Sequence, residues 1–477
     1  MSFLDGFSRR RGERSGGSGG AFVSGAAEAA RSAGRRELAA GLDWIRDFWR
    51  SLAPYAYVRA EDQVVILPPN LVYRTNATGV ALVDFVERGG RFEDIPGFGP
   101  ERAAEIERFF REIAAAHRGE DAALATVPYD FSFTKLPVLG EIAVTYRCNN
   151  ACRFCYAGCD GAPACPGKAG PSGLPGGELD TAGMKRVIDV FRDEAKIPFF
   201  SFTGGEPLLR GDLEELAAYA VSRGLRVNLI TNGTLASPER ARSLFESGLR
   251  TAQVSLEAPD AQTHDDLCGR RGAFDETVAG IEALRAAGVE VQTNSTLTSL
   301  NREALLDLPA FVAGLGVRRL SMNLFIPAGT GERERALLVP YSEAGAFVDA
   351  ARDAARKAGL RFLWYSPIPL CHYNPIARGL GNKSCAACDG LVSVSPSGEI
   401  LPCSSWPESV GPILDGRFAA SWFSERAAWI KAKRFAPESC RSCDSFVACQ
   451  GACPLYWRVV GTAEIEGRAR RAVRGGT

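Results

Sequence analysis

The sequence predicts an α/β fold built around a parallel sheet, and three observations carry this prediction. From residue 140 to about residue 335, short apolar strand-like stretches alternate with longer helix-like ones. Repeated strand–helix units at this spacing are typical of parallel sheets whose strands are joined by crossover helices. Before this region lies a shorter stretch with the pattern of a small α+β module, and after it the chain becomes rich in cysteine.

The alternating region is predicted element by element from apolar runs and amphipathic spacing. The six predicted strands are 141–146, 198–203, 226–231, 251–256, 289–296 and 318–325. The predicted helices between them are 181–195, 212–223, 237–247, 274–287 and 301–314. The expected boundaries are 140–335 for the sheet domain, 336–384 for a connecting segment, 385–460 for the cysteine-rich domain and 461–477 for a basic tail.

Length and composition limit the classes of protein to consider. The chain has 477 residues, which favours roughly three domains at about 150 residues each. Lys+Arg and Asp+Glu both number 56, so no overall charge points to nucleic acid or to a membrane surface. No apolar run reaches the roughly 18 residues of a bilayer-spanning helix. The 14 cysteines fall in tight clusters with no export signal, which predicts metal ligands in the reducing cytoplasm.

The chain before the sheet domain divides into three predicted parts. Residues 1–54 combine a Gly-, Ser- and Arg-rich flexible tail with a short amphipathic helix, expected over 27–52 and packed on the next domain. Residues 55–120 have the pattern of an α+β module, with two short strands at 64–67 and 71–73 followed by two helices. Residues 121–139 have no strong period and are predicted to be a linker.

The stretch 95–106 has an alternative interpretation. Its Gly and Pro residues before a helix resemble a helix–hairpin–helix, in which backbone N–H groups approach a DNA phosphate. The helix that follows is acidic, with Glu101, Glu105 and Glu107 near its start. A Gly/Pro turn inside a small domain is therefore the favoured interpretation, and nucleic-acid binding is not expected.

The functional prediction centres on Cys148, Cys152 and Cys155, spaced C-x3-C-x2-C after the first predicted strand of the sheet domain. A [4Fe–4S] cluster normally takes four Cys ligands, so three in one loop leave one iron open. An open metal position is typical of catalytic rather than structural sites. The alternatives are a zinc site, a disulfide loop or chance. Zinc favours paired C-x2-C elements with a His or fourth Cys nearby, and this stretch places none that way.

A second motif, Gly204-Gly205-Glu206-Pro207, follows the second predicted strand. Adjacent glycines allow the backbone to approach a ligand with no side chain in the way. The carboxylate beside them is of the type that receives an ammonium group. Taken alone, the motif is better explained as a Gly-rich turn.

Together, the two motifs resemble the radical S-adenosylmethionine (radical SAM) superfamily, down to the aromatic Phe154 before the last cysteine. The resemblance implies a partial (β/α)6 TIM-like barrel, with a [4Fe–4S] cluster whose open iron takes S-adenosyl-L-methionine. It also implies reductive cleavage of that cofactor to a 5′-deoxyadenosyl radical, which abstracts hydrogen from a substrate. The implied cofactor contacts are Phe154, Gly204, Gly205, Glu206, Pro207, Thr231, Asn232, Ser255 and Asn294.

The C-terminal cysteines form a second pattern. Cys388-x9-Gly398-x4-Cys403 precedes Cys440-x2-Cys443-x5-Cys449-x3-Cys453, with a predicted β-hairpin at 392–402. This resembles the SPASM extension of radical SAM enzymes, which carries auxiliary iron–sulfur clusters, whereas a zinc ribbon needs only four ligands. The implied ligands of one cluster are Cys388, Cys403, Cys453 and an upstream cysteine.

Two ligand assignments stay open at this stage. Cys385 is the favoured upstream ligand of the first auxiliary cluster, and Cys371 is its rival. The second auxiliary cluster takes Cys440, Cys443 and Cys449, but no cysteine follows Cys453. That cluster therefore has an open iron, takes another ligand such as a carboxylate or Cys371, or is absent.

Cys159 and Cys165 lie in a Gly/Pro-rich insertion at 158–177, with Cys159 evenly balanced between an inert and a functional role. An inert role is favoured for Cys268, because buried free cysteines are common. These residues are not assigned to any ligand set.

The 55–120 module resembles the peptide-recognition element that begins many peptide-modifying radical SAM enzymes, a winged-helix-like relative of the pyrroloquinoline quinone chaperone. That element adds a leader peptide to a sheet edge as an extra strand. The implied function is cross-linking or another side-chain oxidation of a peptide or protein, with an external electron donor of the flavodoxin or ferredoxin type. Maturation of a metalloenzyme or quinone-cofactor enzyme is one alternative, and a non-catalytic iron–sulfur electron carrier is another.

Overall fold

The computed structural model describes residues 24–53, 56–67, 71–118, 133–159 and 177–466. Contacts group the chain into two compact units, Met1–Pro128 and Tyr129–Thr477. The predicted flexible tail, most of the predicted linker, Cys165 and most of the basic tail lie outside the described residues. Within the described ranges, no helix is both long enough and apolar enough to cross a membrane.

The first unit is a small α+β structure. Its elements are α1 (Ser24–Ala40), α2 (Trp44–Leu52), β1 (Tyr57–Arg59), β2 (Val64–Leu67), β3 (Leu71–Arg74), α3 (Ala77–Glu87) and α4 (Pro100–Arg118). The strands pair antiparallel in the order β1-β2-β3. Asn76 caps α3, since its side chain accepts a 2.9 Å hydrogen bond from the Gly79 amide.

The predicted helix over 27–52 is two helices, because the chain turns at residues 41–43 between α1 and α2. Leu42, Ile45 and Trp49 are buried in one core with Phe92 and Phe110. Packing of this segment on the following module is therefore confirmed.

The stretch 95–106 is a turn followed by the start of α4. A single 3-10 turn at Phe92–Asp94 precedes it, and Gly97 has a left-handed φ of 70°. The predicted Gly/Pro turn is therefore present in this segment.

The second unit holds the parallel sheet and the C-terminal cysteines. Its strands are β4 (Leu139–Thr145), β5 (Phe199–Gly204), β6 (Arg226–Thr231), β7 (Thr251–Ser255), β8 (Glu290–Leu297), β9 (Arg319–Leu324), β10 (Arg361–Trp364), β11 (Leu391–Val394), β12 (Glu399–Leu401) and β13 (Gly411–Pro412). Its helices as far as residue 357 are α5 (Thr181–Asp193), α6 (Leu213–Ser222), α7 (Pro238–Glu246), α8 (Ala261–Cys268), α9 (Ala273–Ala286), α10 (Leu308–Gly314) and α11 (Tyr341–Lys357). Five short helices follow: α12 (Phe418–Trp422), α13 (Glu425–Lys431), α14 (Glu438–Arg441), α15 (Phe446–Cys449) and α16 (Pro454–Val460).

The ten strands form one sheet in the order β10-β9-β8-β7-β6-β5-β4-β11-β12-β13. The six predicted strands correspond to β4–β9, and each pairs in parallel with its neighbour along the chain. The predicted α/β class is confirmed. The carboxyl ends of these strands lie at the same edge, where barrels of this kind hold their active sites.

The sheet extends beyond the predicted limits of 140–335. Strand β10 pairs in parallel with β9, and β11 pairs in parallel with β4. The predicted hairpin of the cysteine-rich region is formed by β11 and β12. The connecting segment and this hairpin therefore continue the sheet at its two sides, which the sequence did not indicate because each strand is only three or four residues long.

The core beneath the sheet is continuous and apolar. Phe200 and Phe202 lie on the same face of β5 and contact each other at a ring-centroid distance of 5.0 Å. Phe191 of α5 packs edge-on against Phe200 at 5.6 Å. Such edge-to-face packing stabilises the strand against its helix, and it fixes the strand end where residues 204–207 begin.

Candidate active site

The cysteine loop, residues 146–159, follows β4 and brings its three predicted cysteines together. The Asn150 amide points at the Cys148 sulfur at 3.4 Å, and the Cys159 amide points at the Cys155 sulfur at 3.5 Å. Amide donors aimed at sulfur favour thiolates over thiols. Three adjacent thiols, two of which have such donors, match the ligation of an iron–sulfur cluster.

The environment lowers the pKa of Cys155 to about 7, because the Cys159 thiol and the amides of residues 157–159 donate to its sulfur and outweigh burial. The pKa of Cys152 is raised, chiefly by its hydrogen bond with Cys268 and then by burial. In the described part of the chain, no group of three or more His, Cys, Asp or Glu side chains is spaced to hold a single metal ion.

The segment 204–207 lies against one side of the cysteine loop. The Gly205 amide donates to the Thr145 carbonyl and the Glu206 amide to the Arg147 carbonyl, both at 2.8 Å. A Cβ on Gly204 or Gly205 would overlap these backbone oxygens, and Gly204 also has a φ of 126°. The two glycines are therefore required for the segment to lie against the cysteine loop.

Glu206 is fully buried, and its carboxylate accepts three hydrogen bonds from the protein. The donors are the Leu208 amide at 2.9 Å, the Thr231 hydroxyl at 2.7 Å and the Asn232 amide at 2.8 Å. Burial nevertheless raises the pKa of Glu206. Glu206 therefore holds the segment after β5 to the end of β6, and the expected contact of its carboxylate with an ammonium group stays a prediction.

Asn232 connects the end of β6 to the cysteine loop. Its side-chain amide donates to Asn149 Oδ1 at 2.9 Å and lies 3.9 Å from the Cys148 sulfur. Thr234 completes the network, accepting from Asn149 at 2.8 Å and donating to Asn232 at 2.7 Å. Asn232 therefore lies beside the loop, whereas Thr231 bonds to Glu206, and the expected contacts of both residues with the cofactor stay a prediction.

The other predicted cofactor residues occupy different surroundings. Ser255 ends β7 and is the register partner of Asn294, which lies within β8, three residues before its end. Asn294 accepts a 2.9 Å hydrogen bond from Ser321. Phe154 packs in a small apolar cluster with Leu267 and Phe325, and Pro207 is buried in a 3-10 turn.

A second segment, which follows β9, also lies against the cysteine loop, and the sequence did not predict it. The Thr330 amide donates to the Cys155 carbonyl at 3.0 Å, and the Thr330 hydroxyl reaches the carbonyls of Cys152 and Cys155, each at 3.1 Å. A Cβ on Gly329 would overlap the carbonyls of Cys155 and Tyr156. The sequence Gly329-Thr330-Gly331 was the available signal, but small polar residues after a strand are too common to single it out.

The first C-terminal cysteine set contains Cys385, Cys388, Cys403 and Cys453. Burial raises the pKa of Cys388 and of Cys453 to about 12 each, and the nearby Cys385 thiol adds to both shifts. Burial also raises the pKa of Cys403, and the nearby thiols of Cys385 and Cys453 add to this shift. The Cys388 amide also donates to the Pro402 carbonyl at 3.2 Å. Cys385, rather than its rival Cys371, accompanies this set.

The second set contains Cys371, Cys440, Cys443 and Cys449. Burial raises the pKa of Cys440 to about 11, and the thiols of the other three members contribute in the order Cys449, Cys371, Cys443. The Leu370 amide lies 3.3 Å from the Cys449 sulfur, which places residue 371 beside the set. A fourth cysteine is therefore present although none follows Cys453.

The backbone between the two sets is unusual. Gln450, Gly451 and Ala452 all have left-handed φ angles, of 59°, 74° and 60°. Non-glycine residues rarely adopt this conformation, and consecutive ones indicate a constraint on the chain. Here they separate Cys449 from Cys453, so that each cysteine joins a different set.

Comparison with known protein families gives one match for the sheet region and another for the C-terminal cysteine-rich region. Residues 142–311 match the radical SAM superfamily, and residues 385–444 match the SPASM iron–sulfur cluster-binding domain. An AdoMet-dependent heme synthase of Oleidesulfovibrio alaskensis is 31% identical over 328 residues, which cover 65% of this chain and 80% of that protein.

Two further relatives complete the comparison. A PqqA peptide cyclase of Methylocella silvestris is 29% identical over 317 residues, which cover 63% of this chain and 78% of that protein. The crystal structure of SuiB from Streptococcus suis has the same fold, with a TM-score of 0.59 at 15% identity over 84% of this chain and 94% of SuiB.

Proposed function

The chain belongs to the radical SAM superfamily and carries a SPASM domain, and from this premise we propose that it is a peptide-modifying enzyme. The observation that carries the proposal is the direct contact of the three-cysteine loop with residues 204–207 through the Gly205 and Glu206 amides. This contact places three thiols beside backbone groups at the carboxyl edge of the sheet, where a small charged ligand has access to both.

Cys148, Cys152 and Cys155 would hold the catalytic cluster. When bound, such a cluster supplies one electron to S-adenosyl-L-methionine at its open iron, and the cleaved cofactor abstracts hydrogen from the substrate. The protein's own residues orient and shield this centre. Asn232 and Asn149 fix one side of the loop, Thr330 fixes another, and the electron comes from an external donor of the flavodoxin or ferredoxin type.

The two C-terminal sets would hold auxiliary clusters, one on Cys385, Cys388, Cys403 and Cys453 and one on Cys371, Cys440, Cys443 and Cys449. Four thiols in each set match full cysteine ligation. With no ligand position left open, these clusters suit electron transfer better than direct substrate binding. Oxidation of a substrate side chain releases electrons that they can accept.

A peptide substrate is supported by the edge of the N-terminal sheet. SuiB, which has been solved bound to its precursor peptide SuiA, matches 84% of this chain, a larger share than Tyr129–Thr477 contains. That match therefore extends into the N-terminal unit. In the described residues the sheet of this unit ends at β3, and an edge strand can accept an added strand.

Backbone geometry identifies which group of β3 faces outward. The Thr75 amide donates to the Gln63 carbonyl at 2.8 Å, and Tyr73 is paired with Val65 in the same register. Hydrogen-bonded and non-hydrogen-bonded pairs alternate in an antiparallel ladder. Tyr73 therefore bonds to β2, while the N–H and C=O groups of Val72 point to the outer edge.

Val72→Pro tests this proposal, with Val72→Ala as its matched control. Proline is tolerated on an edge strand where the N–H faces away from the sheet, so the fold should persist while strand addition loses a donor. The probe is a fluorescent synthetic peptide, to be chosen by sequencing the genes next to this one for a short reading frame that encodes a precursor peptide. Val72→Pro should weaken its binding about tenfold or more, and Val72→Ala should not. Equal affinity in both variants would contradict binding at β3.

Catalysis is tested with the same peptide, the reconstituted enzyme, S-adenosylmethionine and dithionite. A cross-link or equivalent oxidation removes two hydrogen atoms from the peptide, which intact-mass analysis detects. An unchanged peptide mass alongside cofactor cleavage would contradict this substrate.

Heme synthesis is a second candidate, favoured by the 31% identity to the AdoMet-dependent heme synthase. The matched 65% of the chain is less than Tyr129–Thr477 contains, so this likeness does not require the N-terminal unit. A leader-binding sheet has no purpose in that reaction, which is why the peptide proposal is preferred. Heme formed from a porphyrin precursor under the same conditions, with no change to the peptide, would favour this second candidate.

A further inference from the structure

Strand β4 carries one carboxylate, Glu141, in an otherwise apolar run. Ile142 and Val144 of the same strand are fully buried in one core with Phe191 of α5. Because successive side chains of a strand point to opposite faces of the sheet, Glu141 points away from that helix-covered core. In a barrel whose helices lie outside, the face that carries Glu141 is the inner one.

Glu141 belongs to a row of polar side chains that crosses four neighbouring strands. It is the register partner of Ser393 on β11 and of Ser201 on β5. Ser201 is in turn the register partner of Asn228 on β6, whose side-chain amide donates to the Ser201 hydroxyl at 3.0 Å. Glu141, Ser201 and Asn228 are only partly buried. The inner face is therefore polar at this level of the sheet, and solvent reaches it.

This polar row lies close to the cysteine loop. Thr203 is two residues beyond Ser201 on β5, so it lies on the same face of the sheet and about 7 Å further along the strand. Thr203 Oγ1 is 3.4 Å from the hydroxyl of Tyr156, the residue that directly follows Cys155. Glu141 is therefore about one step along the inner face from the loop, a separation that a substrate held beside the loop can span.

The carboxylate of Glu141 is hydrogen-bonded through one oxygen only. The Ser393 hydroxyl donates to Oε2 at 2.9 Å, and the Ser404 hydroxyl donates to the same oxygen. Among the residues that the structure describes, Oε1 accepts no hydrogen bond, and no Lys, Arg or His side chain forms an ion pair with Glu141. Ser404 directly follows Cys403, so the carboxylate also lies near the first C-terminal cysteine set.

A partly buried carboxylate without a counter-ion is unfavourable, because burial removes part of its hydration. The two serine hydroxyls on Oε2 offset part of this loss and fix the orientation of the group. They leave Oε1 as an oriented acceptor. Ammonium and guanidinium groups form short, strong hydrogen bonds with such an oxygen, whereas a neutral group would leave the charge uncompensated and an anion would be repelled.

We propose that Glu141 is a specificity-determining residue whose Oε1 binds an ammonium or guanidinium group of the substrate. The proposal rests on the proposed function and narrows its substrate class, since the peptide modified by this chain would carry a Lys or Arg side chain near the residue that reacts. Ser393 and Ser404 hold the carboxylate in position for that contact.

The binding experiment uses the reconstituted full chain and two small probes, N-acetyl-lysine methylamide and its norleucine analogue, which lacks the ammonium group. Saturation-transfer NMR measures both affinities. The wild-type chain should bind the lysine probe about tenfold more tightly than the analogue. In Glu141→Gln, whose side-chain oxygen can still accept both serine hydroxyls, the two probes should bind alike. Equal binding of the probes to the wild-type chain, or a lysine preference that persists in Glu141→Gln, would overturn the inference.

Glu399→Gln is the matched control. Glu399 lies on β12 of the neighbouring hairpin, accepts the Ser409 hydroxyl at 2.6 Å and forms no ion pair within the described part of the chain. This variant should keep the preference for the lysine probe. Loss of the preference in both variants would overturn the assignment of the site to Glu141.

A second measurement needs no variant. A water-soluble carbodiimide joins the amine of the lysine probe to an accessible carboxylate as an amide, and the water lost converts the carbodiimide to a urea. Peptide mapping by mass spectrometry should find this amide at Glu141, and excess N-acetyl-arginine methylamide should suppress it there. An amide on the exposed Glu303 but none on Glu141 would overturn the inference.

The outcome for Glu141 can be separated from the outcome for the proposed function. A chain that binds the lysine probe through Glu141, but cleaves the cofactor without changing the mass of the precursor peptide, would support the cation subsite and contradict the proposed function.

Discussion

The carboxylate of Glu206 accepts a 2.7 Å hydrogen bond from the Thr231 hydroxyl, joining the segment after β5 to the end of β6. The same buried carboxylate also accepts hydrogen bonds from the Leu208 and Asn232 amides, so all three of these donors belong to the protein itself. It means that Glu206 shapes the cofactor edge of the sheet by holding its backbone.

Glu206→Ala is therefore expected to destabilise the protein as well as to abolish cofactor cleavage. Three buried donors lose their acceptor, which costs about 2–4 kcal/mol. Thr231→Val removes only one of these bonds and should cost about 1 kcal/mol. Urea unfolding of both variants measures the difference. A Glu206→Ala variant with wild-type stability and only weaker S-adenosylmethionine binding would show that the side chain contacts the cofactor directly.

Cys371→Ala should remove the fourth ligand of the second auxiliary cluster. Iron per chain should fall by about four atoms, or by about one if a three-iron cluster survives. Asp444→Asn, which alters the carboxylate next to Cys443, is the matched control and should keep full iron content. Iron loss in the Asp444 variant, with none in the Cys371 variant, would assign the fourth position to a carboxylate.

Lys433 is a fully buried cation beside the first auxiliary set. Its ammonium group donates to the Cys385 carbonyl at 2.7 Å and lies 3.9 Å from Asp389. Lys433→Met leaves the carbonyl without this donor and weakens the charge balance around Asp389, and should cost about 3–5 kcal/mol. Chemical unfolding and iron content measure the effect. The exposed Lys357→Met should change stability by less than about 0.5 kcal/mol, and similar behaviour of the two variants would contradict the structural role of Lys433.

Glu257 makes stability depend on pH. Burial raises its pKa well above the usual value of 4.5. The folded state therefore holds the proton more tightly, so stability is full below the unfolded pKa and is lost as pH rises through the raised pKa. Glu257→Gln should gain about 1–2 kcal/mol at pH 8 and little at pH 4. Unfolding at both pH values measures this, and the exposed Glu303→Gln should show no such gain. A Glu257 variant no more stable than wild type at pH 8 would contradict the assignment.

Much of the second unit is predictable because its signals are local. The six strands β4–β9 follow from apolar runs, and cysteine spacing alone identified the loop after β4. The pairing of β10 and β11 with the two sides of the sheet was not predicted. Strand β10 is too short to show a period, and β11, although predicted as part of a hairpin, pairs with β4 across more than 200 residues.

The details of the site depend on long-range contacts that no spacing encodes. Cys371 precedes its partner Cys440 by a long stretch of chain, so the sequence could offer it only as one option among several. Glu141 is 252 and 263 residues from the two serines that donate to it, and a single carboxylate in an apolar strand is too common to indicate a site.

The central claim is tested most directly by cofactor cleavage. After anaerobic reconstitution, the wild-type chain with S-adenosylmethionine and dithionite should release 5′-deoxyadenosine, and Cys148→Ala should release none while keeping its auxiliary iron. Release of 5′-deoxyadenosine by neither protein, or equally by both, would contradict the assignment of Cys148, Cys152 and Cys155 as the catalytic centre.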